Sequence, residues 1–510
     1  MHVLMLGWEF PPFISGGLGT ACHGLTKALD RRGVQVTFVL PKPIDRSQAS
    51  HVNLVSPDPD RPSAAAPPPP MMSMSRAMDE AAATGGAVYV PAAAATVGAP
   101  ASVADAASPQ APQPFAHVRF LGVPAGFVSP YQRTAGNQPV GRWVVRGGVK
   151  RPLGEHESLE PGDVETEPVS YAELQAISSV PRDDGSSPVP MPGADYGGDL
   201  LDTVFRFRAF CLAATRHLKF DVIHAHDWLT YPAGLAIAGV TGKPLVVHVH
   251  STEFDRSGVH VNQRVYDIER RGMHGAMRVV AVSQLTKNVI VRRYSVPDAK
   301  VEVVYNGVDL EPTQGEYSTG IQTKDKIVLY FGRITYQKGP EYFIAAAKRV
   351  LEVMDNVKFV VAGSGDQAAR MIEMAANMGI GHKVLFTGFL RGKDIQRVFS
   401  LADLYVMPSV SEPFGIAPLE AMGHDVPVLI SKSSGVSEVL VHALKCDFWD
   451  IDDMANKIIA VLRHPPLSKT LTEHGSFEVR KITWDGAASR VEQVYRRVAA
   501  EMSSRMQKRA

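Results

Sequence analysis

The feature that most constrains this chain is an alternation that runs twice along it. Short apolar runs end in Gly- or Pro-rich turns, and each turn leads into a stretch of helical periodicity. Residues 3–7 read as a buried strand. A Gly/Pro turn follows, then a helix from about Thr20 to Arg32 that stops at Gly33, then a second strand at 34–40. A strand–helix–strand order with a crossover of this length specifies parallel pairing. The alternation resumes near Leu200, with strands expected at 222–225, 244–250, 278–282 and 301–305. Residues 310–324 read as a turn-rich linker. A second set follows at 326–331, 358–362, 384–386, 404–407 and 427–430, and 483–506 is helical in pattern. The fold class is α/β: two doubly wound, Rossmann-like domains in tandem, whose ligands belong at the carboxyl ends of the strands.

At 510 residues the chain exceeds what one hydrophobic core usually spans. The alternation breaks at 57–114, a tract dominated by Ala, Pro, Ser and Met. It returns as a strand-like island at 118–128 and breaks again over 132–195. Such composition buries too little apolar surface to offset its ordering entropy. A largely disordered insertion at about 57–195 is therefore expected inside a first domain of 1–310. A second domain at 325–485 and a terminal helix at 486–510 follow it. A long loop is tolerable, because each doubling of its length costs only about 0.6 kcal/mol.

Charge and cysteine usage remove several function classes. Lys plus Arg (53) nearly balance Asp plus Glu (52), so no field points to a nucleic-acid partner. Cys22, Cys211 and Cys446 lie far apart without a CxxC pair, which argues against a disulfide framework or a zinc site and fits a reducing compartment. The first residues lack a basic n-region, and no apolar run reaches the length of a membrane span. A cytoplasmic enzyme without a transmembrane segment is expected.

The richest stretch is Ser411-Glu412-Pro413-Phe414-Gly415-Ile416-Ala417-Pro418-Leu419-Glu420. Pro413 biases Glu412 toward extended backbone. Pro418 is tolerated only in a first helical turn. Glu412 should then sit in a loop after the 404–407 strand, and Glu420 at the start of the next helix. Two carboxylates at a strand end suit a polyhydroxylated ligand, since each accepts paired hydrogen bonds from vicinal hydroxyls. Arg333 and Lys338, five residues apart after the 326–331 strand, can together neutralise a diphosphate leaving group. Gly16-Gly17-Leu18-Gly19 opens the first helix, where backbone N–H groups can approach an anion, although a plain tight turn explains it equally well.

Two histidine pairs end neighbouring strands, His224/His226 and His248/His250, each pair on one strand face. A metal site is conceivable there. The spacing lacks HExxH or Cys/His character, so the favoured reading has one histidine lining the cleft while the others pack. Asp58-Pro59-Asp60 and Asp450-Ile451-Asp452 are poorly placed to hold a divalent ion for a diphosphate.

Taken together these residues resemble the retaining glycosyltransferases of family 4, close to bacterial and archaeal glycogen (starch) synthases. The motifs are GGLG at 16–19, HAHDW at 224–228, the His250 strand end, NGVD at 306–309, GRxxxxKG at 332–339, GSGD at 363–366 and the Glu412/Glu420 pair. The resemblance spans the chain outside the insertion and is strongest over 244–498. It implies the GT-B fold, two Rossmann-like domains facing a cleft with a C-terminal helix crossing back. By resemblance Arg333 and Lys338 bind the donor diphosphate, Glu412 holds donor-sugar hydroxyls, and Glu420 holds the ribose. Phe414, Gly415 and Ile416 meet sugar and phosphate through their backbone, while Gly16 and Gly17 supply phosphate-facing amides. His250 lies near the transferring sugar, with Glu9 and Asp227 on the sugar or acceptor side. The implied mechanism needs no metal and retains anomeric configuration, a phosphate oxygen taking the acceptor's proton. Two departures, Ile14-Ser15 where starch synthases commonly carry a lysine and Leu229 where they often carry a histidine, weaken the case for ADP-glucose in particular.

The expectation is a hexosyltransferase, with ADP-glucose or UDP-glucose as substrate rather than any bound cofactor, extending an α-glucan. Its rival is a family 4 transferase of lipid or envelope polysaccharide that docks peripherally on membranes, to which Arg264, Arg270, Arg271, Arg292 and Arg293 could contribute. A nucleotide-sugar epimerase and a silent sugar-nucleotide binder are the further alternatives. Oligomeric state is not readable from these residues.

Overall fold

The computed structural model describes residues 1–11, 16–41, 53–55, 88–89, 117–122, 143–146, 149–152, 164–166, 200–310 and 325–507. The larger of two compact units comprises Met1–Ala125 and Val204–Ala510. It carries two sheets in which every pairing is parallel. The first runs, edge to edge, Val301–Val303, Arg278–Ala281, Leu245–Val249, Val222–His226, His2–Leu6, Gln35–Leu40, Val118–Gly122 and Asn53–Val55. The second runs Leu444–Cys446, Val428–Ser431, Leu404–Met407, Lys326–Phe331, Val357–Ala362, Val384–Gly388 and Val88–Tyr89. In each sheet the strand order reverses beside the first strand of its domain, and the carboxyl ends there are the expected ligand edge. The smaller unit, Gly126–Thr203, contains an antiparallel sheet of Trp143–Arg146 between Val149–Pro152 and Val164–Thr166.

The apolar strands form as parallel strands because helices cover both faces. Alternate residues of Lys326–Phe331 feed opposite cores. Val328 and Tyr330 pack with Phe343, Phe359 and Met371, whereas Ile327 and Leu329 pack with Tyr405, Leu419 and Ile430. Each such fully buried side chain contributes roughly 1.5–3 kcal/mol relative to exposure.

The expected strands of both sets are present within a residue or two, and the helix Trp484–Gln507 matches the periodic tail. Leu444–Cys446 is a strand that sequence patterning missed, three residues being too short to carry a period. The first helix begins at Gly17, earlier than Thr20, because Leu18 and Ala21 are buried and draw the first turn onto the core. Most of the expected insertion, the 311–324 part of the linker, and Ile14-Ser15 lie outside the described residues. Within 57–195 the described residues include the strands Val88–Tyr89 and Val118–Gly122 and the small antiparallel sheet.

The helix Trp484–Gln507 follows the second sheet and packs on the first domain. Arg31 holds Asp485, Arg32 holds Glu492 at 2.8 Å, and Arg278 pairs with Glu501. Cys22, Cys211 and Cys446 are buried free thiols. Among the described residues no helix is long and apolar enough to cross a membrane.

Candidate active site

The second domain builds its share of the site from two adjacent strand ends. The loop after Lys326–Phe331 zips onto the loop after Val357–Ala362: Gly332 N–H donates to the Ala362 carbonyl at 3.0 Å, and Ile334 N–H to Ser364 at 2.9 Å. Gly363 has φ +149°, and a Cβ there would lie 1.8 Å from the Gly332 carbonyl oxygen. Only glycine fits that approach, which accounts for the GSGD motif as a brace for the Gly332–Gly339 loop. On the other side the Gln337 carbonyl accepts the Val410 N–H at 3.0 Å. That bond sets the register between the two loops. It brings the Lys338 ammonium onto the Glu412 carboxylate as a half-buried ion pair, with Ser409 Oγ donating to the same carboxylate at 3.3 Å.

Glu412 lies in a loop after Leu404–Met407, and Glu420 in the first turn of the helix Ala417–Gly423, with Pro418 at its start. Both placements agree with the Pro/Gly reading of the sequence. Glu412 backbone is fixed by its N–H to Ser433 (3.0 Å) and its carbonyl to Gly435 N–H (2.9 Å). Gly415 has φ +99° and is packed against Glu412 and Met407, a conformation that favours glycine. Burial pushes the Glu420 carboxyl up to about 7. Phe414 is buried, and Gly415 and Ile416 are half-buried. Tyr330 lies beneath the cluster; burial, then the neighbouring Glu412, pushes its phenol up, while Arg333 opposes them. Lys338 and Glu412 thus meet at one place, and the Arg333 carbonyl, in the same loop as Lys338, accepts the Tyr330 hydroxyl at 2.8 Å.

The first domain contributes the ends of its central strands. Gly16 caps the helix Gly17–Arg31 in extended conformation, and no acidic side chain stands in the first turn. His250 follows Leu245–Val249 and is half-buried; its Nε2 shares a 2.9 Å hydrogen bond with His226 Nδ1. Asp227 is buried with φ +57°, one carboxylate oxygen accepting the His250 N–H at 2.7 Å and the Ser251 N–H at 3.4 Å. Burial raises Asp227 to about 7, against the pull of the His250 amide. Asp227 therefore shapes the His250 turn from below. Glu9 is fully buried after the first strand.

The four histidines form two stacks. His224 and His226 have ring centroids 4.3 Å apart, and His248 and His250 4.2 Å, with planes within 30° of parallel. Burial, then His250, lowers His224 to about 3, and burial alone lowers His250 to about 3. The imidazoles are accordingly neutral near pH 7. His224, His226 and His248 bring ring nitrogens within 4.8 Å of one another. The Nε2 atoms of His224 and His226 and both ring nitrogens of His248 are buried without a hydrogen-bond partner among the described residues. His224 Nδ1 is hydrogen-bonded to the Tyr495 hydroxyl of the terminal helix.

The two domains meet around Glu412. Ser411 Oγ donates to Asp255 Oδ1 at 2.6 Å, and Thr286 Oγ1 to the Pro413 carbonyl at 3.3 Å. Glu438 accepts the Gln284 and Leu285 N–H groups at 2.8 and 2.7 Å, capping the helix Gln284–Tyr294 from the other domain. Asp255, Thr286 and Glu438 were not singled out in the sequence. Thr252-x-x-Asp255 does carry a legible capping-box signature, but nothing local tells that its carboxylate also reaches across.

Comparison with known proteins bears on this geometry. Residues 2–65 match a starch synthase catalytic domain, 174–312 the glycosyltransferase family 4 model, and 316–476 the glycosyl transferases group 1 model. An uncharacterised glycosyltransferase of Methanocaldococcus jannaschii is 33% identical over 305 residues, covering 56% of this chain and 77% of that protein. The chain is a family 4 glycosyltransferase. A glycogen synthase of Mycobacterium tuberculosis is 26% identical over 294 residues, 56% of this transferase and 70% of that one. Sucrose-phosphate synthase from Thermosynechococcus elongatus superposes with a TM-score of 0.63 at 17% identity, covering 98% of this chain and all of the other. The transferase thus has the GT-B fold.

Proposed function

We propose that this transferase moves glucose from a nucleotide-diphosphate donor, UDP-glucose or ADP-glucose, onto a growing α-glucan with retention of anomeric configuration. The observation that carries the reading is the Lys338–Glu412 pair, whose lysine shares the loop after Lys326–Phe331 with Arg333. One cation there both orients the carboxylate that would hold sugar hydroxyls and stands ready to offset charge on the leaving phosphate. Electrostatic stabilisation of this kind acts where charge develops, and Arg333 would add to it. The neutral His250 donates or accepts a hydrogen bond at the sugar without adding charge. A departing phosphate oxygen takes the acceptor's proton, and Glu412 positions the sugar rather than attacking it. Glu420, carried up to about 7 by burial, is suited to paired ribose hydroxyls in either protonation state. The amides at Gly16 and Gly17 face the phosphates from the first domain. The match of residues 2–65 to a starch synthase domain and the relation to a glycogen synthase support glucan as the acceptor.

The test is incubation with a panel of nucleotide sugars and glycogen, following nucleotide release and glucan length. Release that depends on glycogen with UDP- or ADP-glucose supports the reading; no release and no growth with either refutes it. A second reading, an envelope or lipid-linked acceptor, is favoured by Arg264, Arg270, Arg271, Arg292 and Arg293, all exposed on the first domain. Sedimentation with anionic vesicles separates the two: retention on the vesicles supports the second reading, and its failure removes it.

A further inference from the structure

We propose that Asp255 is a positioning residue that sets Glu412 for transfer by gripping its neighbour, Ser411, from across the domain boundary. The inference rests on the donor reading of Glu412 given above. Asp255 is 6% exposed, and its two oxygens have separate tasks. Oδ2 accepts both the N–H and the hydroxyl of Thr252, each at 2.7 Å, closing the cap of the short helix Glu253–Ser257. Oδ1 accepts the Ser411 hydroxyl at 2.6 Å.

The helix behind Asp255 is held hard. Glu253 accepts Arg256 Nε at 3.0 Å, Ser257 Oγ at 2.7 Å and Asn262 N–H at 3.1 Å, and Arg256 also binds the buried Glu269. The chain from His250 to Asp255 is likewise short, and its start is pinned by Asp227. Asp255 therefore links the His250 turn and the Glu412 loop through one carboxylate. On the far side of Glu412, the Pro413 carbonyl is held by Thr286. The residue that would face the sugar is clamped to the first domain at both neighbours. A misplacement on the order of 1 Å at a reacting centre can cost about a hundredfold in rate, so loss of this clamp should appear in turnover.

Ser411→Ala removes the grip while leaving the Thr252 cap intact. It should lower kcat about tenfold to a hundredfold and leave the Kd for UDP within about twofold, because Arg333 and Lys338 are untouched. Ser411→Thr, which keeps the hydroxyl, should restore most of the rate. Asp255→Ala should lower kcat at least as far, and the double variant no further than Asp255→Ala, the non-additivity expected of partners in one bond. Amide hydrogen exchange over 409–416 provides a readout independent of turnover: both single variants should accelerate it to the same degree. Unchanged kcat in Ser411→Ala, or unchanged exchange in both variants, overturns the proposal. If the wild-type chain neither binds UDP nor turns over, the donor reading fails, and the exchange result alone then decides whether Asp255 holds the loop.

Discussion

The two sheets present opposite chemistry at their facing strand ends. The second domain offers fixed charge in Arg333 and the Lys338–Glu412 pair, with Glu420 in a first helical turn nearby in sequence. The first offers stacked imidazoles held neutral by burial, above a carboxylate that is spent on backbone amides. The contrast locates the charge that changes during reaction. Under the proposed function, a diphosphate leaving group would gather its charge on the second domain, while the first would supply shape and hydrogen bonds on the acceptor's side.

The contrast breaks if charge on the second domain is dispensable. Arg333→Ala and Lys338→Ala should each lower kcat about 10²–10³-fold in a nucleotide-release assay. On the first domain, His250→Ala removes a neutral hydrogen-bonding group, and a loss of about threefold to tenfold is expected from a bond worth roughly 1 kcal/mol. Equal losses on the two sides would mean that the imidazole carries charge after all.

Stability against pH separates the buried imidazoles from the buried carboxyls, because the two kinds of group respond with opposite sign. His224 and His250 bind protons more weakly folded (about 3) than unfolded (6.5), so the unfolded chain takes up more protons between those values. Their contribution is whole above pH 6.5 and is lost as pH falls toward 3. Asp227 and Glu420 hold protons more tightly folded (about 7) than unfolded (3.8 and 4.5). They favour the folded state below their unfolded values and lose that advantage as pH rises through 7. Melting temperature should therefore decline on both sides of a mildly acidic optimum, and Glu420→Gln should reduce the alkaline decline, leaving the part that Asp227 contributes, and move the optimum to higher pH. The smallest effect is expected at the strap between domains and terminal helix: Asp485→Ala, which breaks an exposed pair with Arg31, should cost about 0–1 kcal/mol in denaturant unfolding.

Much of this was legible before any coordinates. The strand positions followed from apolar runs bounded by Gly and Pro, and Pro413 and Pro418 placed Glu412 in a loop and Glu420 in a first turn. The expected strand at 326–331 put Arg333 and Lys338 in the loop after it, where the structure has them. Local pattern did not disclose that Lys338 and Glu412, 74 residues apart, pair with each other, since that depends on the neighbouring of two strands that are not consecutive in the chain. Nor could it tell that Asp227 turns inward to two backbone amides: a carboxylate beside a strand end reads the same whether it faces a ligand or a loop. The contacts of Asp255, Thr286 and Glu438 across the domains were hidden for the same reason, being set by how two separately folded sheets meet.

The most direct test of the central claim is equilibrium binding of UDP to the wild-type chain and to Lys338→Ala, measured by titration calorimetry at one ionic strength. If the strand ends of the second domain form the diphosphate site, the wild-type chain binds and Lys338→Ala binds at least about tenfold more weakly, the loss expected of a charge-assisted bond to phosphate. Equal affinity in the two proteins would place the diphosphate elsewhere and contradict the account.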